Sequence, residues 1–316
     1  MQAPRSYQIK STRPIIAYQF NPLDNVNVFS NDASMLLPQN SLGRRYMVLG
    51  WPQRGSFATY VTVVATRPDT EVTVQVSAPT IAGAPVPAIA AGEAYTTTLQ
   101  PFEVLNLETG EQGADLSGTI VESSKHVAVF FGTEASNVPW KQPCLGGQCL
   151  YTPPISCNTD LECPISCCAD HLEQQLVPQS ALGKKYVAAR SRARGGEGDF
   201  WRVLAILDNT NVTMTPALAT VPVLNAGQIY EFETLGSFVL EASGPVLLGQ
   251  FLVSEKGPRP DFGGNCVSPA QRRVCSISGR TCSLDADCAH GGVCEQGYSG
   301  ICATNNLQAC GQAQHC

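Results

Sequence analysis

Residues 37–48, Leu-Pro-Gln-Asn-Ser-Leu-Gly-Arg-Arg-Tyr-Met-Val, return at 177–188 as Val-Pro-Gln-Ser-Ala-Leu-Gly-Lys-Lys-Tyr-Val-Ala. Pro38, Gln39, Leu42, Gly43 and Tyr46 thus recur as Pro178, Gln179, Leu182, Gly183 and Tyr186. A chain that carries one block twice must build one supersecondary unit twice, so the repeat constrains the fold more than any composition does. The same spacing of 140 separates Val72 from Val212, where Asp69-Thr70-Glu71-Val72-Thr73-Val74 is answered by Asn209-Thr210-Asn211-Val212-Thr213-Met214. Ala91-Gly92-Glu93-Ala94-Tyr95 is answered by Ala226-Gly227-Gln228-Ile229-Tyr230 at 135, and the slip of five falls in the Pro/Ala/Gly loop 78–90. A loop can lose residues there without touching a strand.

A second pattern occurs three times. Pro14-Ile15-Ile16-Ala17-Tyr18-Gln19-Phe20 superposes on His126-Val127-Ala128-Val129-Phe130-Phe131 and on Pro245-Val246-Leu247-Leu248-Gly249-Gln250-Phe251. Residues 7–22 read as a strand, a Ser/Thr turn and a second strand, the close of a unit whose beginning is missing. The division that follows is 1–37 as the end of an incomplete first β repeat, 38–140 as the first full repeat, 141–168 as a cysteine-rich insert, 169–257 as the second full repeat and 258–316 as a cysteine-rich tail.

Strand-like runs in the first full repeat lie at 46–49, 57–66, 71–77, 94–99, 102–107, 119–122 and 127–131. Val72, Val74 and Val76 alternate with Thr73 and Gln75, the period of a sheet with one buried and one wet face. Arg67-Pro68-Asp69-Thr70 supplies a turn before them. A 3.6-residue apolar period is absent, apart from a single possible helical turn at 169–176. The expectation is an all-β chain of tandem β-sandwich-like repeats with small disulfide-rich inserts, a β-propeller-like arrangement being the alternative.

The 14 cysteines fall in two clusters. Cys144, Cys149, Cys157, Cys163, Cys167 and Cys168 form the first; Cys266, Cys275, Cys282, Cys288, Cys294, Cys302, Cys310 and Cys316 form the second. An even count in each favours disulfides within each cluster and an extracellular or cell-surface location. The N-terminus, Met-Gln-Ala-Pro-Arg-Ser-Tyr, has no apolar export segment, so a start upstream of Met1 is expected. From Pro14 to Pro38 is 24 residues and from His126 to Pro178 is 52, so 28 extra residues sit at the second junction, the length of 141–168. Cys266 leaves the scaffold at nearly the same distance after Pro245. The two clusters share a Cys-x-x-Asp-x-acid-Cys core at 157–163 and 282–288. Their spacings lack the paired C-x2-C or H-x3-H arrangement that zinc requires.

Lys and Arg number 20 against 26 Asp and Glu, a net charge of −6, which does not provide the basic surface that nucleic acid needs. No apolar run approaches the roughly 18–20 residues of a transmembrane helix.

His126 stands where the other copies have Pro and reads as a strand-start residue. His171, between Asp170 and Glu173, could serve a secreted hydrolase, although no nucleophile elbow or H-E-x-x-H is present, and loop fixing is the simpler role. Asp160, Glu162, Asp285 and Asp287 read as turn residues before calcium ligands. Lys184, Lys185, Arg190, Arg192 and Arg194 read first as a charged edge that blocks aggregation. Arg190, Arg192 and Arg194 are also the possible contact for an acidic glycan. Asn211-Val212-Thr213 is a glycosylation sequon if the source is eukaryotic. The shared block reads as scaffold, with Gly43 and Gly183 relieving a turn and the ligand surface in the inserts that differ between copies.

Ile15-Ile16-Ala17-Tyr18-Gln19-Phe20-Asn21-Pro22, Phe29-Ser30-Asn31-Asp32-Ala33-Ser34 with Leu36-Leu37-Pro38, and Cys168-Ala169-Asp170-His171-Leu172-Glu173-Gln174-Gln175-Leu176 resemble the IgGFc-binding protein N-terminal domain, over roughly residues 7–255. The tail resembles small cysteine-rich repeats of secreted myxobacterial proteins, which points to a bacterial source. The resemblance implies a non-enzymatic extracellular binding, adhesion or scaffold module for a protein or glycan ligand, with no cofactor. It carries no antibody specificity and no functional residue over to this chain.

Overall fold

The computed structural model describes residues 6–21, 30–141, 144–149, 156–159, 162–163, 169–192 and 198–254, and the backbone of short strands at 2–3 and within 266–310. The chain is all-β, and no helix among these residues is long and apolar enough to cross a membrane.

The first unit is one folded-over sheet of eight strands, nearly closed like a barrel. Its strands are β1 (Gln2–Ala3), β4 (Gly43–Met47), β5 (Thr59–Ala65), β6 (Thr70–Gln75), β7 (Ala94–Leu99), β8 (Val104–Glu108), β9 (Ile120–Ser136) and β12 (Asp170–Gln175). The first half of β9 pairs with β4 and β6, and its second half pairs with β5 and β12. One strand of 17 residues therefore serves both layers, where the sequence suggests two separate runs. Alternation decides what is buried. Val61, Val63 and Ala65 on β5 and Val72, Val74 and Val76 on and after β6 point inward with Tyr46, Val127, Val129 and Phe131. Each buried Val contributes on the order of 1.5–3 kcal/mol.

The second unit splits the same plan into two three-stranded sheets. One comprises β13 (Lys185–Ala188), β17 (Phe238–Ala242) and β15 (Val212–Thr215), and the other β16 (Ile229–Thr234), β14 (Asp199–Ala205) and β18 (Val246–Phe251). The separation falls at Ser243-Gly244-Pro245, because Pro cannot donate to a ladder and ends the strand that Ser124-Lys125-His126 lets continue. The registers match throughout. Val61 faces Phe131 as Trp201 faces Gln250, and Tyr46 faces Val121 as Tyr186 faces Leu240. This is a sandwich, not a propeller.

One correspondence differs from the sequence alignment. The turn at Gly92 recurs at Gly227, both with φ near +80°, but the strands that follow take different partners. β7 pairs with β6, whereas β16 pairs with β14 in the place that β8 holds beside β5. The second unit lacks one edge strand, so its deficit is a whole strand and turn and not a loop slip of five.

Near the N-terminus β2 (Tyr18–Asn21) pairs with β3 (Asp32–Met35), while residues 6–17 form no strand. Gln19 faces Ser34 as Phe131 faces Gln174, so the β2–β3 pair has the register of β9–β12. The connection in β9–β12 is 28 residues longer, the length of the cysteine-rich insert. In that insert β10 (Cys144–Leu145) and β11 (Gln148–Cys149) form a hairpin, held by disulfides Cys144–Cys157 and Cys149–Cys163. Cys167 and Cys168 lie outside the described residues, as do the side chains of all eight tail cysteines. The tail backbone forms two small three-stranded sheets.

The expected helical turn at 169–176 is instead strand β12, although the start of the second full repeat was placed there by sequence. Its ladder with β9 leaves alternate N–H groups on the far edge. Ser30 Oγ, Asp32 Oδ2 and Ser34 Oγ accept hydrogen bonds from the N–H groups of His171, Glu173 and Gln175 at 2.8, 2.8 and 2.6 Å. Three side chains do what a neighbouring strand would do.

The units meet through Met47, Leu49, Leu204 and Ile206, and through Trp51, which packs on Phe200 and Phe251. Arg202, on β14, crosses the junction. Its guanidinium lies over the Trp51 ring, binds Asp115 at 2.7 Å and Glu231 at 2.8 Å, and donates to the Gly50 carbonyl.

Candidate functional site

The repeated block has a local explanation. In each copy a 3-10 turn, Gln39–Ser41 or Gln179–Ala181, follows the proline. The tyrosine hydroxyl then accepts the N–H of the glycine three residues earlier and donates to a carbonyl on the opposite strand. Gly43 N to Tyr46 Oη is 2.8 Å and Tyr46 Oη to Val127 O is 2.7 Å; Gly183, Tyr186 and Val246 repeat this at 2.9 and 2.7 Å. Burial raises the pKa of Tyr46, partly opposed by the Gly43 hydrogen bond. The glycines are not turn-relieving: neither has a left-handed φ. A Cβ on Gly43 would lie 2.3 Å from Pro178 Cβ, so this glycine permits close packing of one block on the other; Gly183 has room for a methyl group.

The second basic residue of each block is scaffold too, since Arg45 pairs with Glu122 at 3.2 Å and Lys185 with Glu241 at 2.6 Å. Neighbouring residues on a strand face opposite ways, so Arg44 turns elsewhere. It lines a groove of about 790 Å³ with Gln39, Asn40, Arg67, Pro68, Lys125 and His126. Lys125 and His126 arrive there through a bulge. Gly43 faces Val127 while Arg45 faces Glu122, which pushes the intervening β9 residues outward. Arg67 and Pro68 come from the turn before β6. Lys125 Nζ donates to the Pro68 carbonyl, whereas among the described residues Arg44 and Arg67 meet no carboxylate. His126 is thus a groove residue, and part of the shared block reaches a surface that the sequence assigned to scaffold alone.

His171 is placed differently. It and Glu173 are buried, with His171 Nε2 3.9 Å from Glu173 Oε2, beyond hydrogen-bond reach. Glu173 accepts the side-chain amides of Gln19 at 2.8 Å and Asn21 at 2.9 Å. Tyr60 packs beside this carboxylate, and its pKa is raised, first by burial and then by the charge of Glu173. A general base must reach a proton on its substrate. The carboxylate here is occupied in holding β2 onto β12, and the described groove lies elsewhere.

Arg190 and Arg192 lie between β13 and β14, and Arg194 falls outside the described residues, so their joint glycan surface is not assembled here. Glu162 fixes a turn by accepting the Asn158 N–H at 2.8 Å; Asp160, Asp285 and Asp287 lie outside the described side chains. The sulfurs of Cys144, Cys157 and Cys163 cluster, but all three are in disulfides and cannot act as thiolate ligands.

A family model described as IgGFc binding protein matches residues 32–275. No curated protein and no solved structure matches the chain.

Proposed function

The chain belongs to the IgGFc-binding protein family, and from that membership we propose that it is a non-enzymatic extracellular binding or surface-scaffold protein made of tandem β units. The observation that carries this reading is the strand pairing between successive units. β12 begins the second unit yet hydrogen-bonds into the sheet of the first, and β3 meets β2 in the same register. In this reading 1–37 closes a preceding unit, 38–140 and 169–257 are two copies of one repeat, and the cysteine-rich segments 141–168 and 258–316 leave from one position of it. Units joined in this way form a stiff support on which differing surfaces are displayed. The two disulfides favour an oxidising compartment, and the tail's resemblance to secreted myxobacterial repeats favours a bacterial source.

The rival is a hydrolase that uses His171. Protein exported to an oxidising compartment is screened against ester, peptide and glycoside substrates beside a His171→Ala variant. The binding reading expects no turnover from the parent, and turnover abolished by His171→Ala would replace it.

A further inference from the structure

We infer that the groove between the 39–41 turn and the β9 bulge is a binding site for a short acidic oligosaccharide, one carrying sulfate or carboxylate groups. The inference deepens the binding reading above and rests on it. Every charged side chain that lines the groove is basic, Arg44, Arg67 and Lys125, within a chain whose net charge is −6. Holding cations together without carboxylate partners is unfavourable in the absence of an anion, so the arrangement needs a reason.

The second unit shows that the reason is not the fold. Matched through their strand registers, Arg67, Pro68, Lys125 and His126 become Leu207, Asp208, Gly244 and Pro245; Arg44 alone stays basic, as Lys184, whose ammonium group donates to the Ser243 carbonyl at 2.9 Å. One scaffold is thus built with the basic groove and without it. The β9 bulge that delivers Lys125 and His126 is likewise replaced by a strand break at Pro245.

The other groups narrow the ligand. Gln39 and Asn40 bring side-chain amides, each with donors and an acceptor, which suit ring hydroxyls. About 790 Å³ suits a ligand of a few sugar rings. A long polyanion such as duplex DNA would meet repulsion from the rest of this acidic chain, whereas a short ligand held in the groove is shielded from distant charges within about one Debye length, roughly 8–10 Å at physiological salt.

The test measures binding of the full chain to size-defined heparin oligosaccharides by calorimetry at low salt. The parent is expected to bind, more weakly as NaCl is raised. Arg44→Ala/Arg67→Ala, two exposed positions, is expected to lose at least tenfold in affinity with an unchanged circular dichroism spectrum, while Lys184→Ala and Arg190→Ala/Arg192→Ala keep the parent's affinity. No binding by the parent, equal binding by the groove variant, or equal loss in either control would overturn the inference. Displacement by polyphosphate or DNA as effective as displacement by the oligosaccharide would overturn its sugar component. None of these failures implies turnover, so the broader binding reading is judged separately by the substrate screen.

Discussion

At the scale of single residues, Gly43 and Gly183 look identical in sequence and do different work. Gly43 lies against Pro178, and a methyl group there must displace a proline ring. Gly43→Ala is expected to cost about 1–3 kcal/mol through overpacking, and Gly183→Ala to stay within about 0.5 kcal/mol of the parent; urea midpoints compare them. Tyr46 carries a second prediction. Tyr46→Phe loses both hydroxyl bonds in a fully buried site, a cost of about 1–3 kcal/mol. Because burial raises its pKa in the fold, the protonated hydroxyl favours the native state. That contribution is fully present below the unfolded value near 10 and is lost as pH rises toward the folded value. Alkaline denaturation of Tyr46→Phe should therefore be shallower than that of the parent, although the similarly raised Tyr60 keeps part of the slope.

At the scale of elements, β12 shows how a polar sequence becomes a buried strand. His171, Glu173 and Gln175 alternate on its buried face, a pattern that apolar periodicity does not reveal. What holds them is the row Ser30, Asp32 and Ser34, so two of the segments that carry the family resemblance bind each other. Asp32→Ala with Ser34→Ala should speed hydrogen exchange at the amides of Glu173 and Gln175 by about tenfold, the equivalent of one net hydrogen bond. The Leu176 amide, which donates to Val129, should keep its protection more nearly. Equal protection at all three amides in the variant would show that the side-chain row does not support the strand. β9 and its counterparts β17 and β18 make a related point. One proline, Pro245, turns a single long strand into two.

At the scale of the whole molecule, Arg202 joins the two units. Its carboxylate partners Asp115 and Glu231 are part-exposed, so removing the guanidinium costs less than the 3–5 kcal/mol typical of a fully buried pair. Arg202→Ala is expected to cost about 2–3 kcal/mol and to separate one cooperative thermal transition into two, followed by calorimetry. A single transition with the parent midpoint would mean that the apolar contacts of Trp51, Phe200 and Phe251 hold the junction alone. The sequence could not mark Arg202 out. Its counterpart in the first unit is Thr62, so the feature that binds the copies together is one that the repeat does not share.

Much of the plan was legible because strand period and repeat spacing are local. The spacing of 140 set the register of matched strands, and the excess of 28 residues located the cysteine-rich insert. The second unit's missing strand was hidden because the turns at Gly92 and Gly227 look alike, and a turn does not specify which edge the next strand will join. The groove was hidden for a similar reason. Gln39, Arg44, Arg67 and Lys125 are far apart in the chain, and only the β9 bulge brings them to one surface. The sequence by itself determined an all-β chain, two matching blocks and the place of the insert, since these rest on side-chain period and spacing. Tertiary structure alone decided which edges pair, which basic residues lack acidic partners and how Arg202 locks the units, since these depend on contacts between segments that have no fixed separation along the chain.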